Sequence, residues 1–561
     1  MSVSEIKKSH TEVCQDVLEA DVIVIGGGAA GCIVMNELSK CYSVLGLEAG
    51  GNLTSDPVIQ QIGLPAFLLA GTGQSKYFWS GFQQTVPQPG LNGRTSSWTT
   101  GFLLGGGSSV NGLYYGRGSN AVYSQWESLS GSSNWSLDNI LATFKELENY
   151  QGLTMSSARG TNGPVNILQT PSIAPMTLTQ LLPAAVNAFP GIPIVTDYND
   201  PSVENCIDPR AQWFINPMTL QRVSSSTAFL GPSVMTPDGF GVSGYNLRVL
   251  FNSVVLKIIF DKRRRAKAVQ FLRNGRIVEA RAKKAVVIAS GINSSKILQL
   301  SGIGPLSVLV NSKIPPVFIN ENVGKNLQNH PTLFITLLPN PTDSGVPSGA
   351  SYAYSILNMF LPIVGTPFNS PRLVQMVFEF IPAGVLNPLP ALVLGFVLVS
   401  PVSKGSVNVQ SDNSFQIAAA DDAFYQNPID LANMVNVVQV YIQGLLNQLA
   451  STNLPPFYRP ILTDPINEVI LSGYDSTVVQ NYIKNNTNLM LDVHHFVSHC
   501  KMGPLNSGGV VDGDTRVHGT ENLFVTDNAI CPSIPDINTT GPAMMIGLRS
   551  SKIIKKFLRK Y

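Results

Sequence analysis

The sequence predicts an α/β protein in which a discontinuous Rossmann-type domain is interrupted by a second, α+β domain with an antiparallel sheet. Three observations predict it. A short β-branched run is followed at once by a glycine-rich turn and then by apolar residues at helical spacing. Motif-dense segments lie at both ends of the chain. Between them, from about residue 340 to 482, runs a stretch rich in proline and aromatics with no comparable glycine pattern.

Taken in order, the elements justify that reading. Asp21-Val22-Ile23-Val24-Ile25 suits a strand buried on both faces. Gly26-Gly27-Gly28-Ala29-Ala30-Gly31 follows, residues 32–40 have helical spacing, and residues 44–47 make a second strand ending in Glu48. A second glycine-rich stretch covers residues 104–109. From about 247 to 290, apolar strand-like segments alternate with basic turns; Lys262-Arg263-Arg264-Arg265 reads as a solvated hairpin turn. Motifs return between His494 and Gly541, followed by an apolar, basic terminal helix. The resulting division is an N-terminal arm (1–19), a first domain (20–155, 221–305 and 490–561) and a second (156–220 and 306–489).

The first glycine motif, Gly26-x-Gly28-x-x-Gly31, has the context that gives it meaning: a strand before, a helix after, an acid at the end of the next strand. Gly26 permits the tight turn, Gly28 lets backbone approach a pyrophosphate, and Gly31 lets helix and strand pack closely. The helix N-terminus offers N–H groups and a positive dipole end to phosphates. Glu48, twenty residues after Gly28, is placed to accept hydrogen bonds from a ribose diol and selects against a 2′-phosphate. FAD and NAD are not separated by this motif alone.

Composition excludes several classes. Of 561 residues, 44% are hydrophobic and only 13% charged, against roughly 25% charged in average soluble domains. That argues against a disordered or nucleic-acid-coating chain, and a net charge of +2 gives no reason to seek polyanions. The first twenty residues hold Lys7, Lys8, Glu12, Asp16 and Glu19 and no apolar core of a signal peptide. The apolar run 391–400 is too short to span a membrane and reads as a buried strand. Six cysteines in this length suggest reduced thiols rather than a disulfide scaffold, so the expected location is cytoplasmic. The N-x-Ser/Thr triplets at Asn52, Asn134, Asn293, Asn485 and Asn538 are read as accidental.

Several further segments resemble the glucose–methanol–choline (GMC) family of flavin oxidoreductases. Its second glycine loop is similar to Gly101-Phe102-Leu103-Leu104-Gly105-Gly106-Gly107-Ser108-Ser109-Val110-Asn111-Gly112. Its later signature resembles residues 290–304, and its Val-Gly-x-Asn-Leu-Gln-Asp-His segment matches Val323 to His330. Residues 401–407 resemble the strand that opens the family's substrate sheet; residues 508–512 and 523–529 resemble its C-terminal return to the cofactor. The resemblance implies FAD, held by Gly26, Gly28, Ala29, Ala30, Gly31, Glu48, Ala49, Gly105, Gly106, Ser108, Val110, Asn111, Gly112, Val255, Asp527, Asn528 and Thr539. Val110 stands at a position that is a flavin-linking histidine in some relatives, so non-covalent FAD is expected. Phe102 replaces a usual basic residue, Gly291 and Ser295 depart from the later signature, and residues 340–480 match only loosely.

Alcohol oxidation by a flavin needs a base for the hydroxyl proton while hydride leaves, and histidine suits that role. Three of the six histidines crowd into residues 494–499. By resemblance His495 is the base, His494 points elsewhere, and His499 is structural, as are His330 and His518. No metal site is expected, since no carboxylate or cysteine pair near this cluster has ligand spacing. Eleven residues after Asp527, Asn538 is the second active-site group, orienting the substrate oxygen, and residues 538–542 resemble a helix start that faces the flavin. The partners expected are a small, primary, aromatic or apolar alcohol and O2 or another electron acceptor. Two alternatives stand beside this reading. One is a hydroxynitrile lyase-like enzyme; the other is a GMC-fold assembly protein, such as a giant-virus fibre or coat component located in the virion as a homo-oligomer.

Overall fold

The computed structural model describes residues 18–62, 76–79, 83–153, 156–169, 181–339, 354–362, 372–381, 391–451, 458–460, 464–485 and 493–560. The elements that position the site are, in chain order, β1 (Leu18–Ile25), α1 (Gly31–Ser39), β2 (Val44–Leu47), β3 (Cys206–Asp208), β4 (Leu247–Leu250), β5 (Ser253–Phe260), β6 (Ala266–Arg273) and β7 (Arg276–Ile288). Then come α2 (Ser294–Leu300), β8 (Thr332–Pro339), β9 (Tyr354–Leu361), β10 (Val374–Ile381), β11 (Ala391–Leu398), β12 (Tyr458–Pro460), β13 (Leu523–Val525) and α3 (Thr540–Leu558).

One sheet runs β5-β6-β7-β1-β2-β4, with β13 also paired to β7. Its centre is parallel: β1 pairs with β2 and β7, β2 with β4, and β7 with β13. β7 serves three neighbours along its length. Its first half makes an antiparallel pair with β6, and its second half, Ala285 to Ile288, lies parallel to β1. Val22, Ile23 and Val24 are fully buried, as a strand covered on both faces requires. β1 begins at Leu18, three residues earlier than expected. The extension pairs with Ala280 to Ala282 across a bulge near Asp21, and the charged Glu19 and Asp21 interrupt the apolar run that marks the strand in the sequence.

The second sheet is antiparallel throughout, in the order β12-β8-β11-β10-β9-β3. β11 is buried at every position, so the apolar run of 391–398 is a central strand. Behind this sheet lies a continuous helix, Pro428–Ala450, long and apolar enough by composition to cross a membrane. Its Val437, Val438, Ile442 and Leu445 are fully buried in the core of this half, the pattern of a helix covering a sheet. One expectation fails. Gly405–Asn408 does not open the second sheet; it pairs with Lys325–Leu327 and Ala419–Asp421 in a separate three-stranded sheet. A Cβ at Gly405 would sit 1.7 Å from Asp421 O, so glycine there serves a close approach to a strand the sequence did not reveal.

The first sheet draws on residues 18–25, 44–47, 247–288 and 523–525, and the second on 206–208, 332–398 and 458–460. Strands 148–151 and 165–169, however, pair across the expected boundary at 155/156. The N-terminal arm lies outside the described residues save for Leu18 and Glu19.

Candidate active site

The first glycine loop is built as a cradle. Gly26 has φ +96°, and a Cβ there would lie 2.6 Å from Ala289 O. A Cβ at Gly31 would meet Gly26 O at 2.0 Å, so Gly31 sits behind the loop as the packing glycine. Gly28 is different: a Cβ would find only Ala289 O, at 3.8 Å. No protein atom demands glycine there, and a Cβ would take space on the wall of the cavity that Gly28 lines. No side chain caps α1.

Glu48 is buried beside this loop, its Oε2 accepting from Gly27 N–H and its Oε1 from Gly50 N–H, each at 2.7 Å. Burial pushes its carboxyl up to about 7, with the Gly50 and Gly27 amides pulling the other way. The second glycine loop leans on the first: Gly105 N–H donates to Gly27 O at 2.7 Å, and a Cβ on Gly106 would approach Gly28 Cα to 3.0 Å. Ser108 Oγ donates to Gly105 O and accepts from Ser225 N. Asn111 joins the loop to α3 by donating to Thr540 Oγ1 at 2.9 Å. Phe102 packs edge-on against Trp79.

These walls enclose a cavity of about 460 Å³. Every site residue expected from the sequence lines it except Gly31 and Gly105, which support it from behind. Val255 reaches it from β5, and Asp527, Asn528, Asn538 and Thr539 reach it from the C-terminal return. Asp527 fastens the return to the segment after β7, accepting from Gly291 N–H and Ser294 Oγ–H; burial pushes it up to about 6. α3 begins at Thr540, as expected, and no side chain caps its first turn. The triplets at Asn293 and Asn538 lie in this wall too.

At the other end, β8, β10 and β11 contribute Phe334, Val377, Val393, Gly395 and Val397. Here His495 and Asn538 meet: His495 Nε2 lies 3.4 Å from Asn538 Nδ2. Gln375 Nε2 donates to Asn538 Oδ1 at 3.1 Å. On its far side, His495 Nδ1 is 2.8 Å from His330 Nδ1. His499 is fully buried against Ser295 Oγ, and burial pushes its imidazole down to about 3. One expectation is corrected: His494, with φ +60°, does not point elsewhere but lines the same cavity. His330, expected to be structural, is buried in contact with His495. Sequence reading also missed Gln375 and Lys296. The latter lines the cavity with its ammonium pushed down to about 8 by burial. Its place in the later signature, where charge is unusual in a buried helix, was the available signal.

FAD fits these residues. Gly28 leaves room against a helix N-terminus, Glu48 offers a carboxylate, and Asn528 Oδ1 and Thr100 Oγ1 are buried acceptors on the wall with no partner among the described residues. Buried polar atoms of that kind are costly unless a ligand satisfies them.

Comparison with known proteins agrees. Residues 20–332 match the N-terminal family model of GMC oxidoreductases and residues 401–547 the C-terminal one. An oxygen-dependent choline dehydrogenase of Brucella anthropi is 29% identical, covering 95% of each chain, and one of Staphylococcus xylosus is 28% identical, covering 95% of this chain and 94% of its own. Among solved structures, pyridoxine 4-oxidase from Mesorbium loti superposes with TM-score 0.78 at 22% identity, covering 96% of this chain and 99% of its own. A formate oxidase variant of Aspergillus oryzae gives 0.82 at 20%, covering 98% and 100%. With the glycine cradle and both family models in one chain, this protein belongs to the GMC oxidoreductase family and is an FAD-dependent oxidoreductase of CH–OH donors.

Proposed function

We propose that the protein oxidises a primary alcohol with an apolar or aromatic body to the aldehyde, using non-covalent FAD and passing electrons to O2 or another acceptor. The observation that carries the reading is the meeting of His495 Nε2 and Asn538 Nδ2 at 3.4 Å, opposite a wall of Phe334, Val377, Val393 and Val397. That wall favours an apolar body by desolvation. Asn538 Nδ2 donates to the substrate oxygen and His495 Nε2 takes the hydroxyl proton. Bound FAD supplies the hydride acceptor. Val110, on the cavity wall, has no nucleophilic atom to bond to a flavin, which supports non-covalent binding. No observation in the site favours the lyase or assembly reading.

The test is an absorption spectrum during anaerobic titration with a panel of benzylic and aliphatic primary alcohols. Bleaching of the flavin by members of the panel supports the reading. A flavin that stays oxidised throughout overturns it.

A further inference from the structure

His330 precedes His495 by 165 residues, yet their rings meet edge to face, 89° apart, with Nδ1 facing Nδ1 at 2.8 Å. Between two neutral imidazoles one nitrogen must donate and the other accept. The opposite side of the base decides which. Gln375 Nε2 donates to Asn538 Oδ1 at 3.1 Å, which turns Asn538 Nδ2 towards His495 Nε2. An N–H group of Asn538 meets a lone pair, so Nε2 of neutral His495 is bare and its hydrogen sits on Nδ1, aimed at His330. The backbones are clasped as well. The N–H groups of His330 and His495 both donate to Asn329 Oδ1 at 2.9 Å, and Asn329 Nδ2 donates to the buried Asp422 at 3.2 Å.

We propose that His330 is a positioning residue: its Nδ1 lone pair accepts Nδ1–H of His495 and holds the base in the tautomer whose Nε2 lone pair faces the cavity. The proposal rests on the reading of His495 as the base. When the substrate O–H bond breaks, its proton forms N–H at His495 Nε2, and the imidazolium charge strengthens the bond to His330. His330 stays neutral: it is fully buried, and burial pushes its imidazole down to about 3 against the carbonyls of Val399 and Pro535. Among the described residues, the other titratable groups tied to the pair are His494, adjacent in the chain and on the same wall, and Asp422 behind Asn329. The arrangement resembles other imidazoles whose reacting nitrogen is set by the hydrogen bond of its partner nitrogen.

The test uses the FAD-loaded full chain labelled with ¹⁵N-histidine, the His495 signals being assigned by their loss in His495→Asn. The wild type should show His495 Nδ1 protonated and Nε2 bare. His330→Leu should mix the tautomers, slow flavin reduction roughly 10- to 100-fold, the worth of one hydrogen bond to a charged group, and move the rising pH limb to lower pH. His330→Asn puts an oxygen where Nδ1 stood and should restore the tautomer and the limb. A protonated Nε2 in the wild type, or an unchanged tautomer and limb in His330→Leu, overturns the proposal. If no alcohol reduces the flavin, the functional reading fails, and the ¹⁵N spectrum still decides the role of His330.

Discussion

At the scale of single residues, Glu48 shows how one side chain serves two ends. Its carboxylate oxygens already accept backbone N–H groups from Gly27 and Gly50, so it holds the loop, and the proposed reading has it face a ribose as well. In Glu48→Gln an amide N–H must confront one of those donors. FAD affinity should fall by about 1–3 kcal/mol, read by titrating apoprotein with FAD, and the apoprotein should lose stability too. The pH dependence has a definite sign. Burial raises the Glu48 carboxyl from 4.5 in the reference state to about 7, so the folded state holds the proton longer than the unfolded one. The stability that this group supports is present below about 4.5 and is lost as pH rises towards 7. Glu48→Gln should flatten that part of the curve of denaturation midpoint against pH; an unchanged slope would show that Glu48 is not held at raised pKa. Glu48 was legible in the sequence because it lies a fixed distance from Gly28 after a strand. Gln375 was not, nor was the contact that His330 makes, although its segment stood out. Gln375 meets Asn538 and His330 meets His495 across more than 160 residues of chain, and a contact between distant segments leaves no local trace.

At the scale of elements, the two glycines of the first loop separate folding from binding. Gly31→Ala drives a methyl to 2.0 Å from Gly26 O, so α1 must leave β1. Apoprotein stability should fall by about 3 kcal/mol, the upper range for an overpacked site. Gly28→Ala meets only an oxygen at 3.8 Å, so it should leave apoprotein stability nearly unchanged while weakening FAD binding. Thermal unfolding of the two apoproteins, paired with FAD titration, checks both; equal loss of stability would mean that Gly28 too is a packing glycine. The βαβ start was readable because its information is local: β-branched residues, three glycines, a helix. Gly405–Asn408 was misplaced because its partners lie far off at Lys325 and Ala419, and pairing of distant strands leaves no local trace.

At the scale of the whole molecule, a buried charge network fastens the segment around residue 117 to residues 148–212. Glu148 pairs with Arg117 and Arg159, and Arg159 also pairs with Asp197. Burial alone would raise the Glu148 carboxyl, but Arg159 and Arg117 outweigh it and hold it at about 2. The stability it supports is therefore present above about 4.5 and lost as pH falls towards 2. Glu148→Gln leaves two buried guanidinium groups short of a charge and should cost about 3–5 kcal/mol, seen as a lower denaturation midpoint at neutral pH and a weaker acid transition. The discontinuous architecture was legible from motifs at both chain ends, whereas this network was not, since its acids and arginines carry no motif. The most direct test of the central claim is stopped-flow anaerobic reduction of the FAD-loaded protein by an alcohol that bleaches it. His495→Ala should slow reduction roughly 10²–10⁴-fold with FAD still bound, the usual contribution of a general base, and Asn538→Ala about 10–10³-fold. Reduction at the wild-type rate in His495→Ala would contradict the account.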